Sequence, residues 1–451
     1  MKIADVLIIG GSAAGMVAAV TGKSSWPDKS FILVKKQKEV LVPCGIPYIF
    51  GTLDSSQQNI MPVDNMLEKA GIESIVGEVT FIDKKLNIVV LSTGESIQYD
   101  KLVIATGSQP VKPKWLKGCD MENVFVIPKD KVYLDEMNYK LQGLKKIVVV
   151  GAGFIGVEFS DELIKSGHEV CLVEKESSIL ASAYDTEIAD RISSILQNRG
   201  VKVISGNGIR EIKGSEKVDG IVLENGDTID AEAVILSMGY HPNSVLAVNA
   251  GIFVDESGFI AVDEYMRTHE KDIFAVGDCA QKRDFFTREK VSTMLASTAC
   301  AEARVAGMNL FGIHVVKTFS GTIGIYSTAI GENGFGTAGL TERRAQDEGI
   351  AVVTSVFEGV DHHPGHMPGS HKQLVKLIVA KNSGVIIGGE VIGGTSAGEL
   401  INVIGLVIEN RMTVNSLLIS QIGTHPCLTA SPAAYPLIKA AELIASKLRN
   451  S

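Results

Sequence analysis

The feature that most constrains this chain is a pattern that occurs twice. Residues 4–15 read ADVLIIGGSAAG and residues 145–158 read KKIVVVGAGFIGVE. Each is a run of β-branched and aliphatic residues that passes straight into glycines and then into small, helix-compatible residues. A short apolar run without alternation is a central parallel strand, buried on both faces. Glycine directly after it turns the chain into a helix whose first N–H groups can face a phosphate. The duplication predicts two nucleotide-binding units.

The rest of the chain fits around these units. Residues 30–34 (SFILV) predict a second strand, residues 70–97 a meander of edge strands, and residues 99–107 (YDKLVIATG) an apolar strand ending in Gly107. In the second unit, residues 169–174 (EVCLVE) and 233–239 (AVILSMG) read as strands, the last closing on Gly239. Residues 272–278 (DIFAVGD) form another strand ending in Gly277 and Asp278, followed by a helix of small residues over about 292–310. From residue 317 the pattern changes to short strands (374–380, 385–391) and two helices (397–409, 431–448), an α+β third domain. A chain of 451 residues has room for such a set, at roughly 150 residues per domain.

Charge and cysteine usage narrow the function. With Lys+Arg 43 against Asp+Glu 52, the net charge of −9 offers no basic field for nucleic acid or anionic lipid. The six cysteines, at 44, 119, 171, 279, 300 and 427, contain no CxxC, so neither a disulfide framework nor a zinc ribbon is expected, and a reducing cytoplasm fits. Residues 6–22 are uncharged for 17 positions, but glycines interrupt them and Asp5 precedes them, which argues against a membrane span or signal peptide.

The second loop is the more regular. Gly151, Gly153 and Gly156 match G-x-G-x-x-G, with Phe154 and Ile155 between: Gly151 permits the turn, Gly153 lets the backbone approach a pyrophosphate, and Gly156 lets the helix pack closely. Glu174 ends the next strand, where a carboxylate accepts bonds from both ribose hydroxyls and repels a 2′-phosphate, so NADH is expected over NADPH, with Lys175 next door softening the preference. In the first loop, Gly10, Ser12 and Gly15 give G-x-S-x-x-G around Ala13 and Ala14, and the acid after the second strand is replaced by Lys35 and Lys36.

Together with Ala105-Thr106-Gly107 and residues 273–279 (IFAVGDC), these motifs make the whole chain resemble the pyridine nucleotide-disulfide oxidoreductases, flavoproteins with two dinucleotide-binding domains. The resemblance implies an α/β fold with two Rossmann-like domains, for FAD and NAD, and a C-terminal α+β dimerisation domain. The expected divisions are an FAD domain at 1–112 and 245–320, an inserted NAD domain at 113–244, and a dimerisation domain at 321–451 that makes a homodimer. It further implies that the first loop holds the FAD pyrophosphate, that Asp278 binds the flavin ribityl or pyrophosphate, and that Glu158 lies near the nicotinamide. By the same resemblance Ala296, Ser297 and Thr298 lead a helix pointing at the flavin ring.

Cys44 selects the branch. Family members with a redox disulfide use C-x-x-x-x-C, whereas Ile49 stands five residues after Cys44 and Glu39 five before. Residues 41–51 (LVPCGIPYIFG) resemble the single-cysteine branch of coenzyme A disulfide reductases, polysulfide or persulfide reductases, NADH oxidases and NADH peroxidases. A thiolate at a helix N-terminus has a lowered pKa and attacks disulfide sulfur readily; the plainer reading of Cys44 is a small buried hydrophobe. Ala13 and Ala14 stand where peroxidases carry a histidine, which disfavours peroxide. Val40 and Pro43 replace the Ser and Asn of the coenzyme A enzymes, leaving coenzyme A open.

Two histidine-bearing segments remain. Residues 423–432 (GTHPCLTASP) resemble the tail of the glutathione-reductase type, but Ala430 stands in place of the Glu that orients the histidine. His425 is therefore either an acid/base group reaching the partner's flavin or an interface histidine, and Cys427 is a second thiol or packing. Residues 361–371 (DHHPGHMPGSH) concentrate four histidines, yet the prolines and glycines deny them regular ligand spacing, so no metal is expected. The expected activity is that of an FAD-dependent NADH oxidoreductase reducing a small disulfide, persulfide or polysulfide through Cys44. The rivals are an NADH oxidase and an electron-transfer flavoprotein or redox sensor with a protein acceptor.

Overall fold

The computed structural model describes residues 1–450. The chain folds into two compact units: residues 1–115, 123–144 and 235–322 form one, and residues 116–122, 145–234 and those from 323 onward form the other. Both are discontinuous, because the second glycine loop and its surroundings are inserted into the chain of the first.

In the first unit the strand Lys2–Ile9 lies at the centre of a sheet, parallel to Phe31–Lys35 on one side and Ser96–Ile104 on the other. Glu73–Val76 extends it beyond Phe31–Lys35, and Ile273–Ala275 pairs in parallel with Ser96–Ile104. Ile9, Val34, Ile104 and Ala275 fall in register, so Gly10, Lys35, Ala105 and Val276 leave the sheet along one edge. Successive side chains serve opposite cores. Val6, Ile8, Leu33, Val103 and Phe274 pack on the helices Ala13–Ser25 and Ala296–Met308, while Leu7, Ile9, Ile32, Ile104 and Ala275 pack toward Ala247 and Ile252. Burial on both faces is what an unalternating apolar run specifies.

The expected meander is only partly present. Val79–Asp83, Ile88–Leu91 and Ser96–Ile104 form it, but Glu73–Val76 joins the parallel side instead. The helix Val63–Lys69, which no sequence pattern announced, carries the chain across so that this strand runs parallel to Phe31–Lys35.

In the second unit Lys146–Val150, Glu169–Val173 and Lys202–Ile204 run parallel, with the helix Phe154–Lys165 after the first of them. The C-terminal part is a five-stranded antiparallel sheet in the order Ile325–Ile330, Asn333–Gly339, Ile386–Gly393, Lys372–Ala380, Val352–Val360. The helices Ser396–Glu409 and Pro436–Arg449 pack on it. Three of its strands were not expected. Asn333–Gly339 holds three glycines, which weaken a strand signal, but Gly336 is needed because a Cβ there would stand 2.6 Å from the Ile401 Cβ of the helix above.

A buried ionic cluster ties this sheet to the parallel part of the unit. The Lys376 ammonium is 2.8 Å from Asp185 Oδ2 and 3.4 Å from Glu342, and also bonds Glu187. Glu390, wholly buried, accepts from the Asp185 N–H at 2.6 Å, and burial followed by the charge of Asp185 pushes its carboxyl up to about 8. Lys376→Met should destabilise the protein by about 3–5 kcal/mol in denaturant unfolding, because it strands these carboxylates without their cation. A carboxyl raised in the folded state contributes stability in acid that is lost as pH rises through about 8. Glu390→Gln should therefore gain stability relative to the parent above pH 8 compared with pH 5.

Candidate active site

The first unit collects its chemistry at the carboxyl edge of its parallel sheet. Gly10 has φ +120°, and a Cβ there would stand 2.1 Å from the Ala105 carbonyl oxygen; a Cβ on Gly15 would meet the Gly10 oxygen at 1.9 Å. Ser12 is the N-cap of the helix Ala13–Ser25 but its hydroxyl makes no capping bond. Asp130, Thr341 and Thr413 cap the helices that follow them, whereas Thr186–Asn198, Ala296–Met308, Ser396–Glu409 and Pro436–Arg449, like Ala13–Ser25, start without a side-chain cap. Ala13 and Ala14 thus start a helix whose leading N–H groups are not taken by a capping side chain.

Neighbouring strand ends converge on this loop. A Cβ on Gly277 would stand 2.8 Å from Ala14 Cβ, so the turn carrying Asp278 lies against the helix start. Asp278 accepts from Ser108 Oγ at 2.7 Å and from the Lys129 ammonium at 2.8 Å. Burial would raise its carboxyl, but Lys129 and Ser108 outweigh that and hold it below the usual range. Thr106 donates to the Asn243 carbonyl at 2.6 Å, while Gly107 and Gly239 turn with φ of +71° and +90°. Ala296 and exposed Ser297 open the helix Ala296–Met308, and Thr298 shares a 2.9 Å bond with Thr322.

The two basic residues after the second strand are both ion-paired. Lys35 is buried, its ammonium 2.8 Å from Asp64 and 2.6 Å from the Lys38 carbonyl, and its stem lies under Gly11, whose Cβ would stand 2.7 Å from Lys35 Cβ. Lys36 pairs with Glu78.

Cys44 is exposed and sits not at an α-helix N-terminus but in two successive 3₁₀ turns, Pro43–Gly45 and Pro47–Phe50. Prolines at the head of each turn favour this geometry. Asn59 holds the segment from beneath: its amide donates to the Val42 carbonyl at 3.0 Å, its own carbonyl accepts from the Val42 N–H at 2.9 Å, and its Oδ1 stands 2.0 Å from where a Cβ on Gly45 would be.

In the second unit Gly151 turns with φ +98°, and a Cβ on Gly153 would find nothing within 4 Å. Gly153 is the N-cap of Phe154–Lys165 and supplies no side chain to cap it; Gly156 is buried and Ile155 half-buried. Glu174 reaches the loop, its Oε2 accepting from the Ala152 N–H at 2.6 Å and its Oε1 from the Glu176 N–H at 3.0 Å. Lys175 leans toward Glu176 at 3.9 Å. Phe154 stacks on Tyr326 with ring centres 4.8 Å apart. Glu158 accepts from Thr328 Oγ1 at 2.7 Å; burial pushes its carboxyl up to about 7, Thr328 opposing and Glu162 assisting.

His425 and Cys427 are exposed. The Cys427 N–H donates to His425 Nδ1 at 3.2 Å, which assigns the proton of the neutral ring to Nε2. His363, from the histidine-rich loop, bonds the Thr429 carbonyl through Nδ1 at 2.8 Å, so loop and tail are stitched together. Among the described residues the loop's histidines form no group of three or more ligands, and the one such group of acids is that around Lys376. No helix among the described residues is long and apolar enough to cross a membrane.

Residues 4–303 match the pyridine nucleotide-disulphide oxidoreductase family, and residues 325–434 match its dimerisation domain. The chain belongs to this family. An NADH oxidase of Methanocaldococcus jannaschii is 30% identical over 98% of this chain and 99% of its own. An NAD(P)H coenzyme A polysulfide/persulfide reductase of Pyrococcus horikoshii is 30% identical over 86% of this chain and 87% of its own. The solved structure of an NAD-dependent persulfide reductase from A. fulgidus superposes with a TM-score of 0.89 at 29% identity, covering 99% of this chain and 84% of that one.

The protein is therefore an oxidoreductase, and membership of this pyridine nucleotide-disulphide oxidoreductase family implies FAD and a nicotinamide dinucleotide. Two helix starts stand directly behind a strand and a glycine turn, an arrangement that fits two pyrophosphates. Lys129, Ser108, Asn59 and Thr328 were not legible as site residues in the sequence because each lies far along the chain from the group it serves and belongs to no motif.

Gly153→Ala tests the second loop. Its backbone and surroundings accept a methyl, so thermal stability should hold, while KM for the nicotinamide nucleotide should rise by about tenfold or more as the phosphate approach closes. An unchanged KM would mean that the pyrophosphate does not lie there.

Proposed function

We propose that this chain is an FAD-dependent NADH reductase of small disulfide, persulfide or polysulfide sulfur, acting as a homodimer. The observation that carries the reading is Cys44: an exposed thiol on a clamped segment, with no second cysteine in residues 41–51 with which to form an internal disulfide. Its thiolate attacks one sulfur of the acceptor, forming a mixed disulfide and expelling the other sulfur as a thiolate or hydrosulfide. Two electrons from NADH then cleave the mixed disulfide, so that one NADH, one proton and one disulfide yield NAD⁺ and two thiols.

FAD, when bound, supplies the two-electron relay between nicotinamide and thiol. On this reading Gly10, Ser12, Ala13, Ala14 and Gly15 bind its pyrophosphate, and Asp278 accepts from a ribityl hydroxyl or orients the pyrophosphate. Gly151, Gly153 and Gly156 seat the NADH pyrophosphate, and Glu174 takes the adenosine ribose hydroxyls, which favours NADH over NADPH. Glu158, with its carboxyl near neutrality, stands beside the nicotinamide and carries a proton on and off within the working range. His425, an acid/base group at the tail on this reading, presents its Nε2 side outward while Nδ1 accepts from the Cys427 N–H.

The M. jannaschii relative named NADH oxidase supports a second reading, in which oxygen is the acceptor and Cys44 cycles through a sulfenic acid. NADH consumption should be fast in anaerobic buffer with polysulfide and slow in air without it. Turnover only in air would make the enzyme an oxidase. Cys44→Ser should lower polysulfide turnover by roughly a thousandfold, since nothing else on its segment forms the covalent adduct. kcat/KM should be higher for NADH than for NADPH, and Glu174→Ala should narrow that ratio. Glu158→Gln should remove an ionisation at about pH 7 from the profile of NADH turnover.

A further inference from the structure

The turn that carries Asp278 is held by two charged groups that no flavin contact explains. Gly277 has φ +77°; its carbonyl accepts from the Ala280 N–H at 2.9 Å, and side chains add a bond to each of its polar backbone groups. Its N–H donates to Glu302 Oε2 at 2.9 Å, and its carbonyl accepts from the Lys282 ammonium at 2.6 Å. Lys282 also bonds the Ala280 carbonyl at 3.0 Å, and so closes the turn from Gly277 to Ala280. The side chains of Lys282 and Glu302 are both 0% exposed, 3.5 Å apart. Glu302 Oε1 has no hydrogen-bond donor, and burial pushes its carboxyl up to about 7.

Burying two charges is costly, and well-packed apolar residues of similar volume often serve stability as well or better. A buried pair that holds the peptide before Gly277 through its N–H and the peptide after it through its C=O does something that apolar residues cannot: it sets the direction of both planes that flank this Cα. The next residue is Asp278, whose carboxylate takes hydrogen bonds from Ser108 and Lys129 at its side and also feels the charge of Lys282. Gly277 needs this help because a left-handed glycine against the Ala14 methyl has no side chain of its own to fix it.

We infer that Lys282 and Glu302 are positioning residues for the flavin, aiming the Asp278 carboxylate by holding the two peptides on either side of Gly277, one through a buried acid and the other through a buried cation. The inference rests on the assignment of Asp278 to the flavin ribityl or pyrophosphate. Glu302 works from the helix Ala296–Met308, so that helix and the Asp278 turn are locked as one piece.

Release of FAD from the holoenzyme, followed by flavin fluorescence, tests this in Lys282→Met, Glu302→Leu, Asp278→Asn and the Lys282→Met/Asp278→Asn pair. Each single substitution should raise the FAD dissociation constant on the order of tenfold, and the pair should cost clearly less than the product of its members, because Lys282 acts through Asp278. A thermal midpoint measured on the same samples separates this from general softening. Loss of stability with FAD held as in the parent, or fully multiplicative effects in the pair, overturns the inference. FAD held as in the parent by Asp278→Asn overturns the assignment of Asp278 itself, and the inference with it. If Lys282→Met does not fold, Glu302→Gln decides: the amide oxygen still accepts the Gly277 N–H, so FAD affinity should stay within about threefold of the parent while Glu302→Leu loses it.

Discussion

The close passage of two backbones at the edge of the first sheet governs the rest of that unit. The Ala105 carbonyl occupies the space where residue 10 would carry a Cβ, so only glycine lets the first strand turn there into its helix. Because the strands are in register at Ile9, Val34, Ile104 and Ala275, that one crossing brings the glycine loop, the Thr106 crossover and the Asp278 turn into contact. Ligands in open parallel sheets bind outside the carboxyl ends of strands, and Gly10, Thr106 and Asp278 all follow such ends.

What could be read from the sequence was what a local pattern records. Unalternating apolar runs and the glycines after them gave both nucleotide-binding units, and Glu174 was recognisable as the acid closing the next strand. Groups paired across the chain left no such trace. Lys282 and Glu302 look like two unremarkable charges 20 residues apart, and Lys376 interrupts an apolar strand with its four carboxylates scattered from 185 to 390. Lys35 was readable as a departure from an expected acid, but its pairing with Asp64 was not. Asn333–Gly339 was lost for the opposite reason, since its glycines serve the helix above at the expense of strand propensity.

The two glycine loops solve the same problem with different reserves. The first is built for closeness: Gly10, Gly15 and Gly277 are each pressed against a neighbour at less than 3 Å from a would-be Cβ. The second keeps open room around Gly153, where a Cβ would touch nothing. Gly153 stands where the first loop carries Ser12, so the second loop has more room at this one position.

Glu174 borders that second loop. Its carboxylate already holds the Ala152 and Glu176 amides, one on each oxygen, and keeps further acceptor lone pairs on both. On the proposed assignment a ribose would meet an acceptor whose direction those two amides have already set, so recognition there would cost little ordering at the moment of binding.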